Sequence, residues 1–142
     1  MNVDTTFAEK KRQKQLKFER KLLGDLSLNT MRKSVLSSFG KLRIPDEGLE
    51  EACYDVAIEA YLNGACASRF YKYKESIERV QDRCRHELEH FADTLYHFWL
   101  YWDYSRENLS EADVMKASEA FVFLWWREGY QRGVQRQKLR LH

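Results

Sequence analysis

Apolar residues recur at spacings of three and four along much of the chain, and the clearest stripe lies in its second half. The stripe comprises Ile77, Val80, Cys84, Leu88, Phe91, Leu95, Phe98 and Trp102. This period brings the apolar side chains to one side of an α-helix. The pattern therefore predicts a single helix over residues 76–104, with the stripe buried in a core.

Start and stop signals predict four further helices. Thr6 to Glu9 match a capping box, as do Ser110 to Asp113, and Gly24 and Gly40 are typical residues just past a helix end. The predicted helices cover residues 7–23, 28–39, 47–71 and 111–138. The boundary at residues 72–75 has no strong helix breaker.

The last of these helices is apolar on nearly every side between Ala120 and Tyr130. A helix without a polar face is enclosed by its neighbours, so this one should be the central element. The four tryptophans lie on the last two predicted helices, at positions 99, 102, 125 and 126. We expect them to form a shared core rather than platforms for stacking nucleotide bases.

A weak internal repeat links EAYLNGACASRF, from Glu59, with EGYQRGVQRQKL, from Glu128. In each segment two small residues lie one turn apart, so helices could approach closely there: Ala60 and Gly64, and Gly129 and Gly133. Duplication of a helix would explain the match. Chance similarity is the favoured explanation, because only one segment matches.

The chain is long enough for one domain, and one proline and six glycines leave few positions where helices must stop. The proline, Pro45, lies in the segment KLRIPDEG and precedes Asp46, a suitable N-cap, so this segment is the clearest linker. We predict an all-α fold, a compact bundle of four to five helices. Residues 46–142 form the bundle core, and residues 1–45 form a basic N-terminal arm of two helices.

Charge is distributed unevenly, although the net charge is only +2. Residues 1–45 carry 11 Lys/Arg and 4 Asp/Glu (net +7), residues 46–126 carry 8 and 17 (net −9), and residues 127–142 carry 5 and 1 (net +4). The simpler explanation is that the basic ends fold back on the acidic middle. The alternative is a basic surface for an acidic protein, nucleic acid or anionic lipid. Its candidate binding residues are Lys10, Lys11, Arg12, Lys14, Lys17, Arg20 and Lys21.

Cysteine usage and hydropathy indicate the compartment. Three cysteines without a C-x-x-C pair argue against a secreted disulfide framework. The longest purely apolar run, residues 120–126, is far shorter than the roughly 20 residues of a membrane span, and the N-terminus lacks a signal-peptide pattern. We therefore expect a cytoplasmic protein with no transmembrane segment.

The stretch RHELEH contains the H-E-x-x-H pattern of zinc peptidases. On a helix, His86 and His90 would offer nitrogens from one face to a single zinc ion, and Glu87 would act as general base on the bound water. A third ligand is required. Glu111 has the most suitable spacing among three later glutamates, the others being Glu107 and Glu119.

The surroundings of this motif argue against a metal site. Arg83 and Glu89 stand where such peptidases usually carry uncharged residues. At 100° per residue, both histidines point roughly opposite to the apolar stripe, which predicts a solvated face. An acid at Glu111 is also favoured by the helix dipole whatever the function.

Other catalytic constellations are missing from the sequence. A di-iron site needs a second Glu-x-x-His on another helix, and the chain has only residues 87–90. His97 lies among aromatic residues and is expected to be a hydrogen-bonded core histidine. Cys84 falls on the apolar stripe and should be inert. The sequence has no Gly-rich phosphate loop and no G-x-S-x-G elbow.

Three segments carry a resemblance to a family: FAEKKRQKQLKFERKLL at the start, CYDVAIEAYLNG in the third helix and TLYHFWLYWDY near the end of the fourth. Through them, nearly the whole chain resembles the small YbaK-like proteins of Bacillus-type bacteria. These are distinct from the tRNA-editing deacylase that shares the name. The resemblance implies a cytosolic bacterial protein of unknown function, and it implies no catalytic residues.

The sequence thus favours a non-enzymatic helical protein that acts as an interaction or regulatory module through its basic arm. It predicts no cofactor, and a homo-oligomer stays open. The first alternative is a zinc hydrolase with His86, His90 and Glu111 as ligands and Glu87 as base. The second is nucleic-acid binding through the basic N-terminal helix.

Overall fold

The computed structural model describes residues 3–24, 26–39, 47–102 and 110–139. Six α-helices and one 3₁₀-helix make up these residues, and no strand occurs among them. They are α1 (Val3–Gly24), α2 (Leu28–Phe39), α3 (Glu47–Ala67), the 3₁₀-helix (Ser68–Tyr73), α4 (Ile77–Arg83), α5 (Arg85–Trp102) and α6 (Glu111–Lys138). The all-α prediction is confirmed, with one helix more than predicted.

The additional helix arises because the predicted helix over residues 76–104 divides at Cys84. The Cys84 N–H is shared between the carbonyls of Val80 and Gln81, at 3.3 and 3.1 Å. The Cys84 carbonyl still accepts from Leu88 N–H at 3.0 Å. The division is therefore a single tightened turn in a continuous hydrogen-bond ladder, and such turns leave little trace in the side-chain pattern.

The boundary predicted at residues 72–75 is formed by the 3₁₀-helix. It ends at Lys74, which has a φ of 59° and donates its N–H to the Tyr71 carbonyl at 2.9 Å. Ser76 then caps α4, since its Oγ accepts from Arg79 N–H at 3.2 Å. The junction between α3 and α4 thus contains neither glycine nor proline.

The two central helices, α3 and α6, meet at their glycines. A Cβ added to Gly64 would lie 1.9 Å from the Trp126 carbonyl oxygen, and one added to Gly129 would lie 1.9 Å from the Tyr61 carbonyl oxygen. Only hydrogen fits at these positions, so the two backbones pack directly against each other. The predicted close approach at the repeated segments is confirmed, and the segments contact one another.

Helices α2 and α5 cover the remaining sides of the central pair. Phe39 of α2 stacks on Trp99 at 4.7 Å between ring centroids and contacts Phe121 at 5.4 Å. The Trp125 indole N–H donates to Ser34 Oγ at 3.0 Å. Tryptophans 99, 125 and 126 are buried, as predicted, while the Trp102 side chain lies outside the described ones.

The buried side of α5 differs from the predicted stripe at its end. Leu88 and Leu95 are buried as predicted, but Ala92 and Trp99 are buried with them, and Phe98 is 39% exposed. The reason is that α5 contacts both α3 and α6, so its buried side turns toward the groove between them.

Helix α1 contacts α3 and α6. The described side chains from Phe7 to Lys14 are all exposed, whereas Glu19 and Leu23 are half-buried. By contrast, α2 buries Met31, Val35 and Phe39 in the common core. The predicted linker at residues 41–48 lies largely outside the described residues, and the predicted domain boundary after residue 45 lies wholly outside them.

Candidate functional site

The H-E-x-x-H motif occupies the first two turns of α5. His86, Glu87 and His90 are all exposed, in agreement with the predicted solvated face. The two histidines lie along a groove of about 820 Å³ between α4–α5 and α6. They thus face a recess beside α6 rather than open solvent alone.

The groove has an apolar floor and an acidic rim. Leu88 and Ala92 are buried beneath it. The rim carries five carboxylates, from Glu78, Asp82, Glu89, Asp93 and Glu119, and two guanidinium groups, from Arg85 and Arg127. Arg85 lies 3.8 Å from Glu89 in an exposed ion pair, which contributes little to stability.

The expected third metal ligand does not join the histidines. Glu111 instead accepts a hydrogen bond from the Tyr96 hydroxyl at 3.4 Å. Burial raises the pKa of Tyr96, and the nearby Glu111 carboxylate raises it further. Glu119 lines the groove, and Glu107 lies outside the described residues. Within the described residues, no group of three His, Cys, Asp or Glu side chains is arranged to hold a metal ion.

His97 has a hydrogen-bond partner, as predicted, but the prediction that it lies in the core is wrong. Its side chain is 66% exposed, with Nδ1 2.7 Å from the Asp93 carbonyl oxygen and 3.5 Å from Asp93 Oδ1. It lies one position before Phe98, on the side of α5 that turns away from α3 and α6. Aromatic neighbours are a poor sign of burial here, because Phe98 and Tyr101 are themselves exposed.

The two cysteines within the bundle are poor nucleophiles. Burial raises the pKa of Cys53 to about 12. Burial also raises the pKa of Cys84, as predicted for an inert thiol on the core side. Cys66, in contrast, is exposed.

The candidate binding residues of the N-terminal helix are solvent-accessible. Exposed side chains are seen for Lys10, Lys11, Arg12, Lys14, Lys17 and Arg20, while that of Lys21 lies outside the described ones. None of these six forms an ion pair with a side chain that the structure describes. The expectation that the basic end folds back on the acidic middle is therefore not met at these six positions, although Arg32 of α2 lies 3.3 Å from Glu50 of α3 in an ion pair.

Helix geometry separates the basic side of α1 from its docking side. Lys10, Lys14 and Lys17 fall within about 60° of one another around the helix axis, roughly opposite to Glu19 and Leu23. Since Glu19 and Leu23 are the half-buried positions among the described side chains of α1, the lysines point away from the bundle. We call Lys10, Lys14 and Lys17 the lysine stripe.

A second basic surface was not anticipated from the sequence. It combines the 3₁₀-helix with the end of α6, and we call it the aromatic–basic patch. Its exposed members are Arg69, Tyr71, Lys72, Tyr73, Lys74 and Lys138. The alternation of letters in RFYKYK, residues 69–74, was the available signal. The position of Lys138 beside it could not be read from the sequence.

Cations and aromatic rings are interleaved in this patch. Lys72 Nζ lies 5.2 Å from the centroid of the Tyr73 ring, and Lys138 Nζ lies 5.3 Å from that of Tyr71. The guanidinium groups of Arg69 and Arg83 each lie 4.9 Å from the Phe70 ring centroid. Such distances are typical of cation–π contacts.

Comparison with known proteins gives a family without an assigned activity. The chain matches the family described as "Protein of unknown function (DUF2521)" over residues 1–142. It is 33% identical over 144 residues to the "Uncharacterized protein YbaK" of Bacillus subtilis (strain 168), with 96% of each chain covered. No solved structure matches. Within the described residues, no helix is long and apolar enough to cross a membrane.

Proposed function

Because the chain belongs to the DUF2521 family, whose members have no assigned activity, we propose a function from geometry: the protein is a non-enzymatic binding module that holds an acidic protein partner against α1. The observation that carries this proposal is the lysine stripe, which is exposed, without a described ion-pair partner and turned away from the bundle. We also place the protein in the cytoplasm, on the cysteine usage described above.

The lysine stripe has the properties of a recognition surface for a protein. Its three ammonium groups are spaced over about 10 Å along the helix, at 1.5 Å per residue. Each exposed ion pair would contribute less than about 1 kcal/mol, so affinity requires several pairs together with apolar contact. Phe7, which is exposed on the same side of the helix as the lysines, supplies apolar surface. Among its described side chains α1 exposes a single aromatic ring, that of Phe7, whereas a stacking surface interleaves several rings with its basic residues, which favours an acidic protein over a nucleic acid.

Charge reversal tests this proposal. In a variant carrying Lys10→Glu, Lys14→Glu and Lys17→Glu, we expect the affinity for fluorescent poly-L-glutamate to fall at least about tenfold, because several charge pairs are replaced by repulsion. Fluorescence anisotropy at low and moderate salt gives the affinities.

The matched control reverses three exposed cations outside α1, through Lys33→Glu, Arg79→Glu and Lys116→Glu. It has the same net charge as the test variant and should keep most of the affinity. An equal loss in both variants would mean that net charge, not α1, governs binding. Binding of single-stranded DNA but not polyglutamate by α1 would favour the nucleic-acid alternative.

The competing function is a zinc hydrolase with His86, His90 and Glu111 as ligands and Glu87 as base. The separation of Glu111 from the two histidines, through its bond to Tyr96, disfavours it. We expect elemental analysis of the untagged protein to find no stoichiometric zinc, and we expect the same zinc content in the His86→Ala variant. One equivalent of zinc that disappears in His86→Ala would overturn the binding-module proposal in favour of a metal site.

A further inference from the structure

We propose that the aromatic–basic patch binds single-stranded nucleic acid, with Tyr71 and Tyr73 as stacking platforms and the surrounding lysines as phosphate ligands. This goes beyond the function proposed for α1, since it concerns a different surface and a different class of partner.

The first support is that the patch is exposed, while the two elements that carry it, the end of α6 and the 3₁₀-helix, are held together by direct contacts. The side-chain amide of Gln137 donates to Ser68 Oγ at 3.1 Å, which joins the end of α6 to the start of the 3₁₀-helix. A Cβ on Gly133 would lie 2.3 Å from Ser68 Oγ, so the two elements also pack closely. Basic residues from two distant parts of the sequence are thereby held on one surface.

Phe70 and Arg83 orient the middle of the patch. The guanidinium groups of Arg69 and Arg83 both contact the Phe70 ring, and that of Arg83 also donates from Nε to Glu75 Oε2 at 2.9 Å. Glu75, the nearest acid along the chain, is therefore neutralised by Arg83. The charge presented to solvent comes from Arg69, Lys72, Lys74 and Lys138, all of one sign.

Lys74 adds a second indication. Among the described residues it is the one non-glycine residue with positive φ. Glycine or asparagine adopts this conformation at lower cost. A lysine here keeps a cation at the end of the 3₁₀-helix, next to Tyr73, and backbone strain of this kind is a reason to look for function.

The combination of exposed rings and cations fits a single strand better than other anions. Every base has a flat face, and stacking on an aromatic side chain contributes about 1–3 kcal/mol per base. A base that stacks on Tyr71 or Tyr73 would displace the ammonium group from that ring, leaving Lys138 or Lys72 beside the adjoining phosphate. In a duplex the base faces are already stacked, and an acidic protein surface offers no comparable flat partner for tyrosine rings.

The test uses fluorescein-labelled oligothymidine and oligouridine of about 15 nucleotides, within the site sizes known for stacking proteins. We expect the full-length protein to bind both in anisotropy titrations, and a duplex DNA of equal length at least about tenfold more weakly. Tyr71→Ala with Tyr73→Ala should weaken single-strand binding at least about tenfold, since two stacking contacts are lost. Tyr71→Phe with Tyr73→Phe should restore it.

The matched control removes two aromatics of similar exposure from α5. Phe98 is 39% and Tyr101 73% exposed, against 39% for Tyr71 and 63% for Tyr73. Phe98→Ala with Tyr101→Ala should leave the affinity within about twofold of the parent protein, because these residues lie outside the patch. Far-UV circular dichroism of each variant verifies folding.

The contribution of the lysines is tested through the salt dependence of the affinity. Replacing Lys72, Lys74 and Lys138 by Gln should reduce the slope of log K against log salt by about 2, at roughly 0.7 per phosphate contact in a single strand.

The proposal is wrong if no oligonucleotide binds at about 50 mM salt, if duplex binds equally well, or if the α5 control loses as much affinity. It is also wrong if binding survives the tyrosine-to-alanine variant but disappears in the α1 charge reversal. That last result leaves α1 as an anion-binding surface, so the two proposals can fail independently.

Discussion

Two glycines set the distance between the central helices. Gly64 and Gly129 each lie against a backbone carbonyl of the opposite helix, so the contact involves peptide groups instead of interlocking side chains. At such a crossing neither helix can absorb an added methyl group by a rotamer change.

We predict that Gly64→Ala or Gly129→Ala lowers the free energy of unfolding by about 3 kcal/mol, because α3 and α6 must separate to admit the new Cβ. Urea unfolding followed by circular dichroism measures this. Gly24→Ala is the control: nothing lies within 4 Å of its added Cβ. It should be neutral or stabilising by up to about 1 kcal/mol, through helix propensity. Equal effects at Gly24 and Gly64 would contradict the close crossing.

A single hydroxyl joins α2 to the centre of α6. Removing it in Ser34→Ala leaves the Trp125 indole N–H without its acceptor, and we expect a loss of about 1 kcal/mol in unfolding free energy. Ser37→Ala, at an exposed position of the same helix, should change stability by less than about 0.5 kcal/mol. If Ser37→Ala alone destabilised the protein, Ser34 would not be the residue that joins α2 to α6.

At the residue level, the small residues at the crossing of α3 and α6 were predicted well, whereas burial was predicted poorly for a residue with aromatic neighbours. Gly64 and Gly129 were recognised because their spacing has a direct steric meaning. His97 was misplaced because aromatic letters were taken as a sign of burial, whereas residues 97 and 98 lie on the outer side of α5. The helix period itself indicates the exposed position, since at 100° per residue His97 lies about 20° from His90, on the side predicted to be solvated.

The described side chains of α1 include none that is fully buried. Among its described side chains only Glu19 and Leu23 are half-buried, although Leu26, just beyond it, packs against the core. Its importance to the protein should therefore be greater for binding than for folding.

Deletion of residues 1–24 tests that division. We expect the remaining chain to unfold cooperatively in urea, with a loss of about 2 kcal/mol from the apolar surface that α1 covers. Polyglutamate binding should disappear, because the lysine stripe is gone. If the truncated protein is unfolded, α1 is a structural element and the binding proposal loses its basis. Leu23→Ala in the full chain weakens the contact of α1 with the bundle but leaves its lysines in place. It therefore separates the effect of that contact from the effect of the charges.

At the element level, one of the two predicted capping boxes marks a helix start: Ser110 does, whereas Thr6 lies inside α1, which already begins at Val3. Ser110 caps α6 as predicted, with Oγ accepting from Asp113 N–H at 3.4 Å. The division at Cys84 and the early end of α3 at Ala67 were missed. Both transitions exchange α-helical for 3₁₀-like hydrogen bonding without a Gly or Pro, so side-chain patterns change little.

The molecule as a whole should become less stable in alkali, partly because of one thiol. The pKa of Cys53 is about 12 in the folded protein, against 9.0 for an ordinary cysteine. Between these values the folded state keeps the proton and the unfolded state loses it. Unfolding then releases a proton, so this group makes stability fall as pH rises from 9 toward 12.

We predict that Cys53→Ala makes the decline in unfolding free energy above pH 9 shallower than in the parent protein, whatever its effect at neutral pH. Urea unfolding at several pH values from about 8 to about 11 gives the two slopes. Cys66→Ala, at an exposed position, should keep the slope of the parent protein. Parallel curves for Cys53→Ala and the parent would show that this thiol does not contribute.

The surface of the whole molecule was predicted only in outline. Uneven charge along the sequence drew attention to both basic ends. It did not indicate that Lys138 would lie over Tyr71, because that contact depends on how α6 passes the 3₁₀-helix. The aromatic–basic patch is thus a product of tertiary structure, assembled from two segments that are each unremarkable alone.

The close crossing of α3 and α6 also bears on how the protein is made. The residues in contact are roughly 70 positions apart, so this part of the core closes late by loop-closure arguments. A ribosome that adds about 5–20 residues per second needs several seconds to extend the chain from α3 through α6. Throughout that time the glycine face of α3 has no partner. We therefore expect the bundle to complete its core only after α6 has left the ribosome.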